Sequence, residues 1–232
     1  MKPLKVASES QWSIKLFGSL CCVWLISGVT VLMQTTASAD ENLQTVAVVA
    51  EHQQNQFASL LTEAGLSFSM PAGFHEIAIE DDYVLPYEKR LMSDDEGLEV
   101  RYAIRPLKRI EIDYEDPHNS APHPNDLFEM LFRTISETLA GQTYVRSHIY
   151  PADQAREKYH AGWASAAVFD VSPDVSKKYH QGLLLAIHHN DKADAYLLFL
   201  TNDLQQQKEA IKAAEKSLVF TRFDKGINRP TL

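Results

Sequence analysis

Three apolar runs crowd the last third of this chain, at residues 163–171, 182–187 and 195–200. None shows the alternation of polar and apolar residues that marks a half-buried strand. Strands of that kind have both faces covered and belong in the middle of a sheet, with helices on either side. The links between them, residues 172–178 and 189–194, are too short for a crossover helix. The runs must therefore pair as consecutive antiparallel strands. A turn centred near 174–175 would place position 160 opposite 189.

The rest of the chain fits around that meander. Val46, Val49, Ala50, Phe57, Leu60, Leu61 and Ala64 recur at helical spacing over residues 42–64, and Gly65 is a stop signal. The run His52, Gln53, Gln54, Asn55 and Gln56 weakens the first half of that helix. From Leu66 to Met70 the period changes to two, the mark of a half-buried strand. Pro71, Ala72 and Gly73 turn the chain, and residues 74–79 read as a second short strand. Residues 80–97 are acidic and read as irregular. In the next strand Leu98, Val100, Tyr102 and Ile104 share one face, and Glu99, Arg101 and Arg105 the other. Residues 111–125 read as a loop, with Pro117, Pro122 and Pro124. A helix follows, with Leu127, Leu131, Ile135 and Leu139 stepping by four, Asn125 or Asp126 as cap and Gly141 at its end. Residues 145–150 read as a strand, and 151–159 as one or two helical turns. The closing helix takes Asp203 as cap, with Gln206 at the reciprocal position and Leu204, Ile211, Ala214 and Leu218 as its stripe. The fold class is α+β, a central, mostly antiparallel sheet sandwiched between helices.

The other end of the chain is an address. Lys2, Lys5 and Lys15 precede an apolar run of 18 residues, 16–33, and the leader ends Ala37-Ser38-Ala39. A basic region, an apolar region and a small-x-small site make a secretory signal peptide, cut between Ala39 and Asp40. An uncut leader would stay as an N-terminal anchor, since 18 residues reach the lower edge of a membrane span. The expected organisation is a signal peptide over 1–39, a helical segment over 40–64, a single α+β domain over 65–222 and a tail over 223–232. Removing the leader, with its three lysines and one glutamate, takes the formal charge from −9 to −11. Phosphate binding needs clustered Lys and Arg, so nucleic acid is not an expected partner. The cleaved chain is not expected to bind anionic membranes either. Both cysteines, Cys21 and Cys22, fall in the leader. The mature protein therefore has no disulfide and no cysteine nucleophile, which fits a periplasmic or secreted domain held by its core alone.

Residues 65–74, Gly-Leu-Ser-Phe-Ser-Met-Pro-Ala-Gly-Phe, resemble the opening strand of the PsbP-like (PsbP/Mog) fold family, which ends in Pro-x-Gly-aromatic. A mid-chain helix, a meander and a closing helix ending Ser217-Leu218-Val219-Phe220 extend the similarity over about residues 65–220. The resemblance implies an α/β/α sandwich and a non-enzymatic accessory or binding protein of bacterial export. It implies no particular partner and no functional residue.

Signatures of catalysis are missing from the sequence. It has no Gly-x-Ser-x-Gly elbow, no glycine-rich phosphate loop and no His-Glu-x-x-His. Two clusters carry metal-ligand chemistry. Asp113, Glu115, Asp116, His118, His123 and Asp126 gather in the proline-rich loop, without the spacing of a known site. The 163–171/182–187 hairpin brings His160, His188 and His189 to one end of the sheet and leaves His180 at the other. Neighbouring strand residues face opposite ways, so His188 and His189 do not aim at one ion. The sequence also places no carboxylate clearly enough to orient an imidazole. The expectation is no catalytic, cofactor-binding or metal residues, no cofactor, and another protein as partner. The alternative is a metal- or small-ligand-binding protein, with an enzyme as its extreme form.

Overall fold

The computed structural model describes residues 52–80, 82, 84–112, 118 and 120–222. The leader with its cleavage site, the tail over 223–232, and Asp113, Glu115 and Asp116 of the loop cluster lie outside the described residues.

A helix over 52–64, α1, opens the described chain. It stops at Gly65, whose φ of 63° is the left-handed cap that glycine adopts without steric cost. The elements then run β1 (Leu66–Phe68), β2 (Phe74–Glu76), β3 (Lys89–Ser93), β4 (Leu98–Pro106), α2 (Phe128–Leu139), β5 (Val145–Ile149), α3 (Ala152–Tyr159), β6 (Trp163–Asp170), β7 (Gln181–His189), β8 (Ala193–Thr201), α4 (Lys208–Glu215) and β9 (Leu218–Phe220). Seven strands form one antiparallel sheet in the order β2-β3-β4-β8-β7-β6-β5, and β1 pairs β9 apart from it.

The apolar runs of the last third are β6, β7 and β8, adjacent and antiparallel. All nine residues of β8 are buried, as a central strand requires. Leu197 and Phe199 point to one face, where α1 supplies Phe57 and Leu60, α3 Ala155 and Tyr159, and α4 Ile211 and Ala214. Leu198 and Leu200 point to the other, where α2 supplies Phe132 and Leu139. The molecule is thus an α+β sandwich with helices on both faces, and α1 belongs to its core.

Several local expectations are corrected. Trp163 pairs with His188, whereas a turn at 174–175 would have paired it with 186, so the register moves by two residues and keeps every side chain on its face. The stretch read as irregular contains β3, whose five residues are all buried. Its Lys89 meets Glu76, and its Arg90 meets Glu80 and grips Glu99 of β4 with Nε at 2.9 Å and Nη2 at 2.8 Å. Arg101 reaches the same Glu99 and also Asp82, both at 2.8 Å. Glu99 and Arg101 on the charged face of β4 are therefore enclosed, while Arg105 stays partly exposed. Burial pushes the Glu99 carboxyl up, but the two guanidiniums outweigh it and hold the group below its ordinary range.

The closing helix is shorter than its stripe implied. Leu218 lies in β9, opposite Phe68 of β1. Asp203 Oδ1 accepts from the backbone N–H groups of Gln205 and Gln206 at 2.9 and 3.0 Å, capping a turn that precedes α4. Nor do Asn125 or Asp126 cap α2. They lie in a 3-10 turn, Pro124–Asp126, ahead of it, and the Asn125 side chain bonds Asp191 in the β7–β8 turn at 2.8 Å.

Candidate functional site

Helix α2 ends where its sequence says it should. Gly141 N–H donates to Thr138 O at 3.0 Å and Gln142 N–H to Glu137 O at 2.8 Å, the paired bonds of a Schellman cap closed by a left-handed glycine. The cap turns the chain back into β5, the strand at one edge of the sheet.

Between α2 and β5 lies a groove of about 500 Å³. Its apolar wall is Phe132, Met130, Val145, Ile149 and Trp163, and its charged rim is Asp126, Glu129 and Glu137 against a single Arg133. Met130 is 48% exposed and Ile149 58%, large values for such apolar side chains. Tyr144, just ahead of β5, is 78% exposed. The serines in the groove are engaged with backbone. Ser165 Oγ donates to His148 O at 2.9 Å and Ser136 Oγ to Arg133 O at 2.9 Å.

Strand β5 is an edge, and among the described residues it pairs with β6 alone. Tyr150 N–H donates inward to Ala164 O at 3.0 Å. By the alternation of an antiparallel ladder, the backbone groups of Val145, Ser147 and Ile149 then point outward. The same three side chains line the groove. Outward hydrogen-bonding groups and groove-facing side chains thus belong to one set of residues.

The histidines singled out in the sequence separate. His188 is buried on the α2 face, stacked on Phe128 with ring centres 4.1 Å apart. Its Nδ1 lies 2.6 Å from Asp194 Oδ1 and its Nε2 2.8 Å from Asn190 Oδ1. Asp194 is the carboxylate that sequence reasoning failed to place. It sits at the cross-strand position opposite His188, a relation that only the register reveals. His160 and His189 are on the other face. His160 Nδ1 donates to Phe220 O at 2.7 Å and its Nε2 accepts from Arg222 Nε at 2.8 Å, while the His189 ring packs on Phe220. His180 lies at the far end, its backbone N–H donating to Asn202. Of the loop cluster, His123 Nδ1 accepts from Asn125 N–H at 3.1 Å and Asp126 lies on the groove rim. Among the described residues no three His, Cys, Asp or Glu side chains are gathered as a metal site would need.

The fold is similar to that of a cyanobacterial PsbP. The solution structure of that protein, CyanoP from Synechocystis sp. PCC 6803, is 13% identical to this chain and aligns over 69% of it and 89% of CyanoP, with a TM-score of 0.37. No protein-family model matches this chain and no curated protein matches it in sequence. No residue role passes from CyanoP to this chain.

Proposed function

We propose that this chain is an exported, non-catalytic accessory protein, and that its α2–β5 groove takes up an extended segment of another protein. The observation that carries this reading is β5, a strand whose outer edge has no partner among the described residues and whose alternate side chains line a groove. A free edge beside a groove is the geometry of strand addition, in which main-chain bonds give affinity and alternate side-chain pockets give specificity. An exposed edge left open invites aggregation, so proteins normally cover or charge it. Here Arg146 and His148 guard only the face turned away from the groove. Three acidic residues and one Arg on the rim favour an apolar segment flanked by Lys or Arg. The basic leader and Ala37-Ser38-Ala39 support export.

The test uses Ser147→Pro. Proline removes one outward N–H without touching the inner ladder to β6. The variant should keep the wild-type melting temperature. It should lose binding to an extended peptide of alternating valines with lysine flanks, and a glutamate-flanked peptide should bind more weakly to the wild type. Equal binding by wild type and variant would remove the reading. Export is tested separately, by N-terminal sequencing of the mature protein, which should begin at Asp40.

A further inference from the structure

Helix α2 has a second concavity on its other flank. This cavity, about 380 Å³, opens between Leu131 and Ile135 of α2, Leu85 ahead of β3, and the ends of β4 and β8. That volume lies within the range of small-molecule sites, and the walls are mainly apolar, as such sites require. Two polar side chains on its wall are almost wholly enclosed: Asp194 is 3% exposed and Tyr196 2%. His188 takes only Oδ1 of Asp194. Neither Asp194 Oδ2 nor the Tyr196 hydroxyl bonds any described residue, and both residues line the cavity. An unbonded carboxylate oxygen and hydroxyl on a mainly apolar wall are the few polar groups by which such a site orients a ligand.

We propose that this cavity binds a small, mostly apolar molecule whose polar end donates hydrogen bonds, an amine or an alcohol. The chemistry follows from the open atoms. A carboxylate oxygen accepts and does not donate, so it selects a donor and repels an anion. The remaining charges on the wall are already matched. Glu88 Oε1 accepts from Arg105 Nη1 at 2.7 Å, its Oε2 accepts from Ile104 N–H at 2.9 Å, and Arg109 is held by Glu63. No cation is left over to receive an acidic head. His188 fixes the Asp194 carboxylate from behind, so the open oxygen is presented in one orientation.

Three probes with one apolar body test this on the mature protein: 2-phenylethylamine, 2-phenylethanol and phenylacetate, titrated by calorimetry and by amide chemical shifts. The amine and the alcohol should bind saturably, and phenylacetate at least about tenfold more weakly, the worth of one charge-assisted hydrogen bond. Leu131→Trp, which fills the cavity from a half-buried helical position, should abolish binding while leaving the circular dichroism spectrum unchanged. Ile135→Trp is the second filling variant, should the first unfold. Asp194→Asn keeps an oxygen for His188 and places an amide donor at the open position, so it should reverse the order of amine and acid. No saturable binding by either donor probe, a wild-type preference for phenylacetate, or binding undisturbed in a folded filling variant would each overturn the proposal.

Discussion

His188 and Asp194 occupy paired positions on β7 and β8, and their side chains meet at 2.6 Å with both residues buried. Removing one member of an enclosed hydrogen-bonded pair strands the other without water to replace it. Asp194→Ala should therefore cost about 1–3 kcal/mol of stability. Urea denaturation measures this, and a midpoint equal to the wild type would show that Asn190 alone satisfies the imidazole.

The Phe169 ring lies across Gly182, its cross-strand partner. A Cβ placed on Gly182 would stand 2.6 Å from Phe169 Cε2 and 3.0 Å from Val171 Cγ2. An aromatic ring held in a packed sheet does not give way as the tip of a flexible chain would. Gly182→Ala should lower stability by about 1–3 kcal/mol, the usual cost of overpacking. The double variant Gly182→Ala/Phe169→Leu should recover part of that loss, and thermal melts of the three proteins decide it.

Glu88 sets a pH dependence of unusual sign for a carboxylate. Burial raises its pKa above the ordinary 4.5, and Arg105 offsets only part of that. In the window above 4.5 the folded state therefore holds more protons at this site than the unfolded chain. Stability from Glu88 then falls as pH rises through the window, whereas the lowered Glu99 contributes stability above 4.5 that is lost as pH falls. Glu88→Gln removes the first effect alone. From about pH 4 to about pH 8 the wild type should lose stability relative to this variant, as read from paired melts. A difference that is flat or rises with pH would contradict the assignment.

Metal should not stabilise the protein. The hairpin that brings His160, His188 and His189 to one end of the sheet sends His188 to the α2 face and the other two to the face of β9. Zinc at 100 times the dissociation constant of a real site would add about 2.7 kcal/mol. We expect no rise in melting temperature with zinc, copper, manganese or calcium. A saturable rise that disappears in His160→Ala would establish a site.

The central meander was legible because its strands are apolar on both faces and their links too short for anything but antiparallel pairing. β3 was not, because Lys-Arg-Leu-Met-Ser looks like surface until Glu76, Glu80 and Glu99 are known to neutralise it. β9 was hidden inside a helical pattern, since Leu218 follows Ala214 by four residues and its true partner lies 150 positions away in Phe68. The groove and the cavity were both invisible for one reason. β5 reads as a strand but not as an edge, and Leu85, Leu131 and Asp194 have nothing in their local sequence that brings them together.

The order of the sheet also dictates an order of assembly. β6, β7 and β8 are joined by short turns, but β4 must find β8 across about a hundred residues, with Leu98 opposite Thr201, and β1 must find β9 across more, with Leu66 opposite Phe220. Loop closure costs entropy before distant contacts repay it, so the local hairpins nucleate and the N-terminal strands arrive later. Leu185→Ala in β7 should therefore slow folding, while Leu66→Ala in β1 should chiefly speed unfolding. The β1–β9 seam, the last to close, should be the first to exchange its amide hydrogens.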